Sequence, residues 1–176
     1  MTQSLDNTTY IELLEKLKNE IAQARIRAHL AVNSQLIILY WNIGSLILER
    51  QHKEGWGTKV IENISKDLRA EFPEMKGLSS RNLVYMQTFA KAYPDFTFTQ
   101  EVLAQITWYH NITLLDKVKD YEQRVWYIQK TIENGWSRNV LVLQITTDLY
   151  SREGKSISNF KNTFKITYQV QKIWQH

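Results

Sequence analysis

The chain has 176 residues, of which 43% are hydrophobic, 23% charged and 12% aromatic. A chain of that size holds one domain or two small ones and can bury a substantial core, which excludes a second large domain and disorder over most of its length. It has no cysteine, which removes disulfides, thiolate metal sites and a cysteine nucleophile together. The net charge is +4, but residues 152–176 hold five basic groups against one acid, while the remainder carries seventeen of each and is neutral. Basicity is therefore a property of the C-terminal stretch, and DNA binding by the rest of the chain has to rest on local patterning.

Six glycines and two prolines punctuate long segments whose apolar residues recur three or four apart, so a mainly α fold is expected. From Thr9, a possible N-cap with Glu12 three residues on, helical spacing runs through Leu14, Leu17, Ile21, Ala28, Leu36 and Leu46 to about His52. This predicts either one very long helix or a pair broken near Asn33-Ser34. Such a stripe exceeds what a small monomeric core covers, and a homodimer through it is expected. Gly55-Trp56-Gly57 reads as a turn. A second helix is predicted from Thr58, with Val60, Ile61, Ile64, Leu68 and Phe72 on one face and Pro73 as its stop. A third starts at Ser79 with Leu83, Met86, Phe89 and Ala90 inward and ends at Tyr93-Pro94. Phe96-Thr97-Phe98-Thr99 alternates like a strand. Helical spacing returns over 108–115, 121–132 and 140–150, with Gly135 and Ser137 as stop and start signals. The predicted organisation is a helical domain over 1–154 and a basic tail over 155–176.

Catalytic patterns are missing from the sequence. Four scattered histidines give no zinc spacing, and there is no phosphate-binding glycine loop or nucleophile elbow. A nuclease centre would need Asp95 and Glu153-Gly154-Lys155, which lie 58 positions apart on no convincing strands. No cofactor, metal or small-molecule substrate is expected. The longest unbroken apolar run, Leu36 to Trp41, is far short of the ~20 residues of a membrane span. Met1 to Thr9 does not have the build of a secretory signal, so a cytoplasmic chain without membrane contact is expected.

One constellation carries chemistry. Gly77-Leu78-Ser79-Ser80-Arg81-Asn82-Leu83 opens its helix as a recognition helix does: glycine for the tight entry, Ser79 as cap, Leu83 and Met86 on the core, polar groups in the first turn. Lys76, Arg81 and Lys91 are the expected phosphate contacts. Ser80, Asn82 and Tyr85 would sit nearest the bases, and the capping Ser79 is counted among the candidate contacts. The departure from a tight helix-turn-helix is the connection, some seven positions from Phe72 to Ser79. Gly135-Trp136-Ser137-Arg138-Asn139-Val140-Leu141 echoes the motif and adds Arg138 to the candidates.

Taken in order, these motifs resemble the N-terminal domain of the YhcG-like nucleases of the PD-(D/E)xK superfamily. The resemblance is carried by Ala31-Val32-Asn33-Ser34, Leu39-Tyr40-Trp41-Asn42-Ile43-Gly44, Ile64-Ser65-Lys66-Asp67-Leu68, Gly77 to Leu83, Trp108-Tyr109-His110 and Gly135-Trp136-Ser137. It implies a bacterial, DNA-binding, helix-turn-helix-like module followed by a nuclease domain. Here the chain instead runs through Lys165 to His176, so a truncated or frame-altered member is expected, non-enzymatic and limited to binding. The alternative is a protein interaction or oligomerisation module without DNA contact.

Overall fold

A computed structural model describes residues 7–54 and 58–153. Among these residues the fold is all helical, with eight α-helices, one 3-10 turn and no strand. The chain divides into two compact units, Met1–Trp108 and Tyr109–His176. The expected turn at 55–57 and the basic tail at 155–176 lie outside the described residues.

The first unit is built on α1 (Asn7–Glu54), one helix of 48 residues and roughly 72 Å. It is already helical at Asn7, so Thr9 lies inside it. Asn33-Ser34 does not break it, for a physical reason. An Asn in mid-helix can compete for its own backbone, but Asn33 Nδ2 is drawn away to the carbonyls of Ala104 (2.9 Å) and Ile106 (3.0 Å).

Across the C-terminal half of α1 lies α3 (Ser80–Ala92), against which α2 (Thr58–Glu71) packs, followed by the short α4 (Phe96–Glu101) and a 3-10 turn over Leu103–Gln105, both on α1. Gly44 permits the closest approach: a Cβ there would overlap the backbone carbonyl of Met86 on α3. Ile37, Tyr40 and Ile47 of α1 are buried, as are Leu83, Met86 and Phe89 of α3. Trp108 closes the core, edge-on to Tyr40 (4.9 Å) and Phe89 (5.3 Å), and Trp41 Nε1 donates to Tyr93 O at 2.7 Å.

Residues 15–32 of α1, by contrast, are exposed throughout. The strand-like alternation of Phe96 to Thr99 is overridden by a cap. Asp95 Oδ1 accepts from Thr97 N (2.8 Å) and Phe98 N (3.3 Å), which starts a helix there.

Taken over a window and not as an unbroken run, α1 is more apolar than the sequence expectation allowed. No Asp, Glu, Lys or Arg stands between Ala28 and Leu48. By length and composition the helix could cross a membrane, with mean hydropathy 1.4 over its most apolar eighteen residues. In this fold one face of that stretch is a core face, carrying Ile37, Tyr40 and Ile47.

The second unit comprises α5 (Trp108–Lys117), whose first residue is the last of the first unit, then α6 (Tyr121–Asn134), α7 (Arg138–Thr146) and α8 (Leu149–Glu153). Leu114, Tyr127, Ile128 and Leu141 are fully buried. Arg124 turns inward and donates from Nη1 to Val118 O (3.1 Å) and Lys119 O (3.3 Å). Trp126 packs edge-on against Tyr127 (5.0 Å) and Tyr150 (5.4 Å). The helix expected over 140–150 is interrupted. Thr146 and Thr147 hydroxyls bond back to carbonyls of the preceding turn, and Asp148 takes a left-handed φ of 51° before α8 begins.

Candidate nucleic-acid interface

The α2–α3 connection is fixed by side chains from three directions. Gly77 sits at φ +96°, a region that disfavours a side chain, and a Cβ there would overlap the Tyr40 hydroxyl. That hydroxyl donates to Lys76 O at 3.5 Å. From α2, the buried Ser65 donates to Leu78 O at 2.7 Å, and Leu78 itself is buried. Ser79 then caps α3: its Oγ accepts from Asn82 N at 3.3 Å.

The amide of Asn82 is engaged at both ends. Its Nδ2 donates to Gly77 O (2.6 Å), and its Oδ1 accepts from Trp108 Nε1 (2.7 Å). Asn82 therefore holds the turn in place, and its amide is not available for the base contact expected from the sequence.

The turn presents charge of both signs outward, Glu74 ahead of Gly77 and Lys76 and Arg81 around the cap. Lys76, Ser79 and Arg81 are exposed, while Ser80 and Tyr85 are half-buried. The Arg81 guanidinium lies over the Tyr85 ring, 5.8 Å from its centre, which restricts where the charge can point. Lys91 is exposed in the last turn of α3. Ten residues separate it from Arg81, roughly 15 Å of helix, so it belongs to the same element but not to the same cluster.

Two further cations stand on α2 near the start of α3. Lys66 and Arg69, three apart and so on one face of α2, line a groove of ≈ 460 Å³ together with Phe72, Met75 and the first helical residue of α3, Ser80. One acid, Glu62, lines it too. The motif that opens α3 does not include Lys66 and Arg69; their i, i+3 spacing beside the inward Ser65 is the signal in the sequence that could have found them. From Ile64 to Pro94 the chain carries five basic residues and three acids, Asp67, Glu71 and Glu74.

Arg138 lies in the second unit, where its Nε donates to Thr113 Oγ1 at 3.1 Å. The echo of the motif is real at the level of capping. Ser137 Oγ accepts from Val140 N (3.4 Å) as Ser79 does from Asn82 N, Gly135 like Gly77 has positive φ, and Leu141 like Leu83 is fully buried. His110 is structural: its Nε2 donates to Trp136 O at 3.0 Å, and burial pushes its pKa below the ordinary value, opposed by that bond. Asp95 is the N-cap of α4. Among the described residues no three His, Asp or Glu side chains gather as a metal site.

Compared with known families, residues 16–152 match the DUF1016 N-terminal domain. The chain belongs to that family. No curated protein and no solved structure matches it. A DUF1016 N-terminal domain is consistent with the YhcG-like N-terminal domain that the motifs resemble. The match runs through both units, from the exposed part of α1 to α8.

Proposed function

We propose that this DUF1016 N-terminal domain is a non-catalytic DNA-binding module of a YhcG-like nuclease, gripping duplex phosphates with the α2–α3 surface. The observation that carries the reading is the capped N-terminus of α3, with Lys66 and Arg69 of α2 lining the groove at Ser80 beside Glu62, and Lys76 and Arg81 exposed on either side of the Ser79 cap in sequence. Backbone N–H groups and the helix dipole favour a phosphate at such an end. Oriented side chains there select register on the duplex, while base reading falls to Ser80 and Tyr85 beside the groove. Cleavage in this reading belongs to the nuclease domain of that family, and the described residues bind only.

Fluorescence anisotropy with a random duplex tests the proposal. Neutralising about four to six phosphates gives a slope of log affinity against log salt of about −4 to −5. Arg81→Ala weakens binding by roughly 1–3 kcal/mol. Absence of binding at low salt, or an Arg81→Ala affinity equal to that of the parent, overturns it. The exposed apolar face of α1 favours a second reading, in which the chain is an assembly module without direct DNA contact.

A further inference from the structure

We propose that α1 pairs with α1 of a second copy as a parallel, in-register two-stranded coiled coil. The first observation is a heptad. Apolar residues stand at alternating spacings of four and three from Tyr10 through Leu14, Leu17 and Ile21 to Ala31, which are the a and d positions of a coiled-coil seam. Of these, Leu14 is half-buried and the rest are exposed: Leu17 is 49% and Ile21 60% accessible.

The second observation is phase. Carried forward in the same register, Asn33, Ile37, Tyr40, Gly44 and Ile47, which α1 turns to its own unit, fall at c or f, and Trp41, which bonds to Tyr93 O, falls at g. In a two-stranded coil c and f point away from the partner. The fold has therefore occupied mainly the outer face of α1, leaving the seam open from Leu17 to Ala31 and at Gln35 and Asn42, while Ile38 and Ser45 at d are half-buried. Val32, Leu39 and Leu46, all at e beside the seam, are exposed at 71%, 41% and 63%. Exposed Gln35 and Asn42 fall at a, where a polar residue opposite its own copy fixes register at some cost in stability. Ile26 and Leu30, also exposed, lie on the c and f side and continue the core stripe beyond the unit.

The third observation is charge, and it chooses the occupant and its direction. In a parallel in-register pair, g of one helix meets the following e of the other. Glu20 at g then faces Arg25 at e, twice by symmetry, and no like charges meet. The antiparallel pairing that lays Tyr10–Ala31 on itself sets Lys18 against Arg25 twice, which offsets its two Glu20–Arg27 pairs, whereas the parallel pair carries no such repulsion. Lys18 is in addition held to Glu15 on its own helix at 2.7 Å.

Sedimentation equilibrium of the full chain tests the pairing. The expected mass is twice 20.9 kDa. Leu17→Asp and Ile21→Asp, which alter exposed positions away from the core, are each expected to halve it while leaving the helical circular dichroism of the C-terminal elements intact. Because the chain has no cysteine, Ile21→Cys tests direction. The parallel pair oxidises to a disulfide-linked dimer, and Lys16→Cys at c does not. A wild-type monomer overturns the proposal, as does a monomer that floats with phospholipid vesicles, which would assign the face to a bilayer. A dimer insensitive to Leu17→Asp overturns the interface, and failure of Ile21→Cys to cross-link within an established dimer overturns the parallel register. None of these outcomes depends on DNA, so the proposal stands or falls apart from the α2–α3 site.

Discussion

Replacing Gly77 by alanine perturbs the turn that aims α3, and its cost divides into two parts that can be measured separately. At φ +96° an L-residue carries a backbone penalty of roughly 1–2 kcal/mol. The second part is steric, because the new Cβ overlaps the Tyr40 hydroxyl, and Tyr40 is only 4% accessible and has little room to retreat. Overpacking of this kind costs about 1–3 kcal/mol, so Gly77→Ala loses about 2–5 kcal/mol in all. Tyr40→Phe removes the oxygen in the way and gives up its bond to Lys76 O, about 1 kcal/mol. The double variant is therefore less damaged than the two single losses together, by an interaction of about 1 kcal/mol or more, while the backbone part persists. Native-state hydrogen exchange gives the assay. The Leu83 amide, bonded to Ser79 O at 2.9 Å, reports opening of the first turn of α3 without interference from the second unit. Protection of Leu83 unchanged in Gly77→Ala, or strictly additive losses in the double variant, would refute this account of the turn.

Ser79→Ala and Ser137→Ala each remove a cap, and each is expected to cost about 1 kcal/mol in protection of its own helix, α3 or α7, read by the same exchange method. Trp108→Phe leaves the Asn82 oxygen without its indole donor and should lower the protection of α3 by about 1 kcal/mol, whereas an effect confined to α5 would argue against the link. For His110 the folded pKa lies below 6.5, so neutral His110 contributes stability present above about pH 6.5 and lost as pH falls through the lowered folded value. Protection factors in α5 and α7, taken relative to the intrinsic exchange rate at each pH, are then expected to fall from pH 7 to pH 5, and His110→Gln to flatten that profile. Persistence of the full pH effect in the variant would show that another group is responsible.

The helical architecture was legible wherever local chemistry and periodicity agreed. Ser79 and Ser137 cap helices where the sequence placed their starts, and Pro73 and Pro94 follow helix ends as their geometry requires. Legibility failed where a distant partner decided the matter. Nothing near Asn33 in sequence says that its side chain will bond to Ala104 and Ile106, seventy-odd positions on, and so spare the helix. Phe96 to Thr99 alternate as a strand would, but one carboxylate at Asp95 makes them a helix. At the candidate interface, the sequence identified the exposed Lys76, Ser79 and Arg81. It could not show that Asn82 is bound between Gly77 and Trp108, nor that α2 turns Lys66 and Arg69 toward the start of α3. Those facts arise from packing between elements, which one-dimensional periodicity does not carry.

The most direct measurement sets oriented charge against bulk charge in the full-length chain. One variant neutralises Lys66, Arg69 and Arg81 to glutamine on the α2–α3 surface. The other neutralises Lys155, Lys161, Lys165 and Lys172, which supply most of the positive charge of the C-terminal stretch. Every phosphate left without its cation should reduce the salt slope of duplex binding by about 0.9. The account predicts a reduction of roughly 2–3 in the first variant and little change in the second. A slope that collapses in the tail variant and survives in the α2–α3 variant would contradict it.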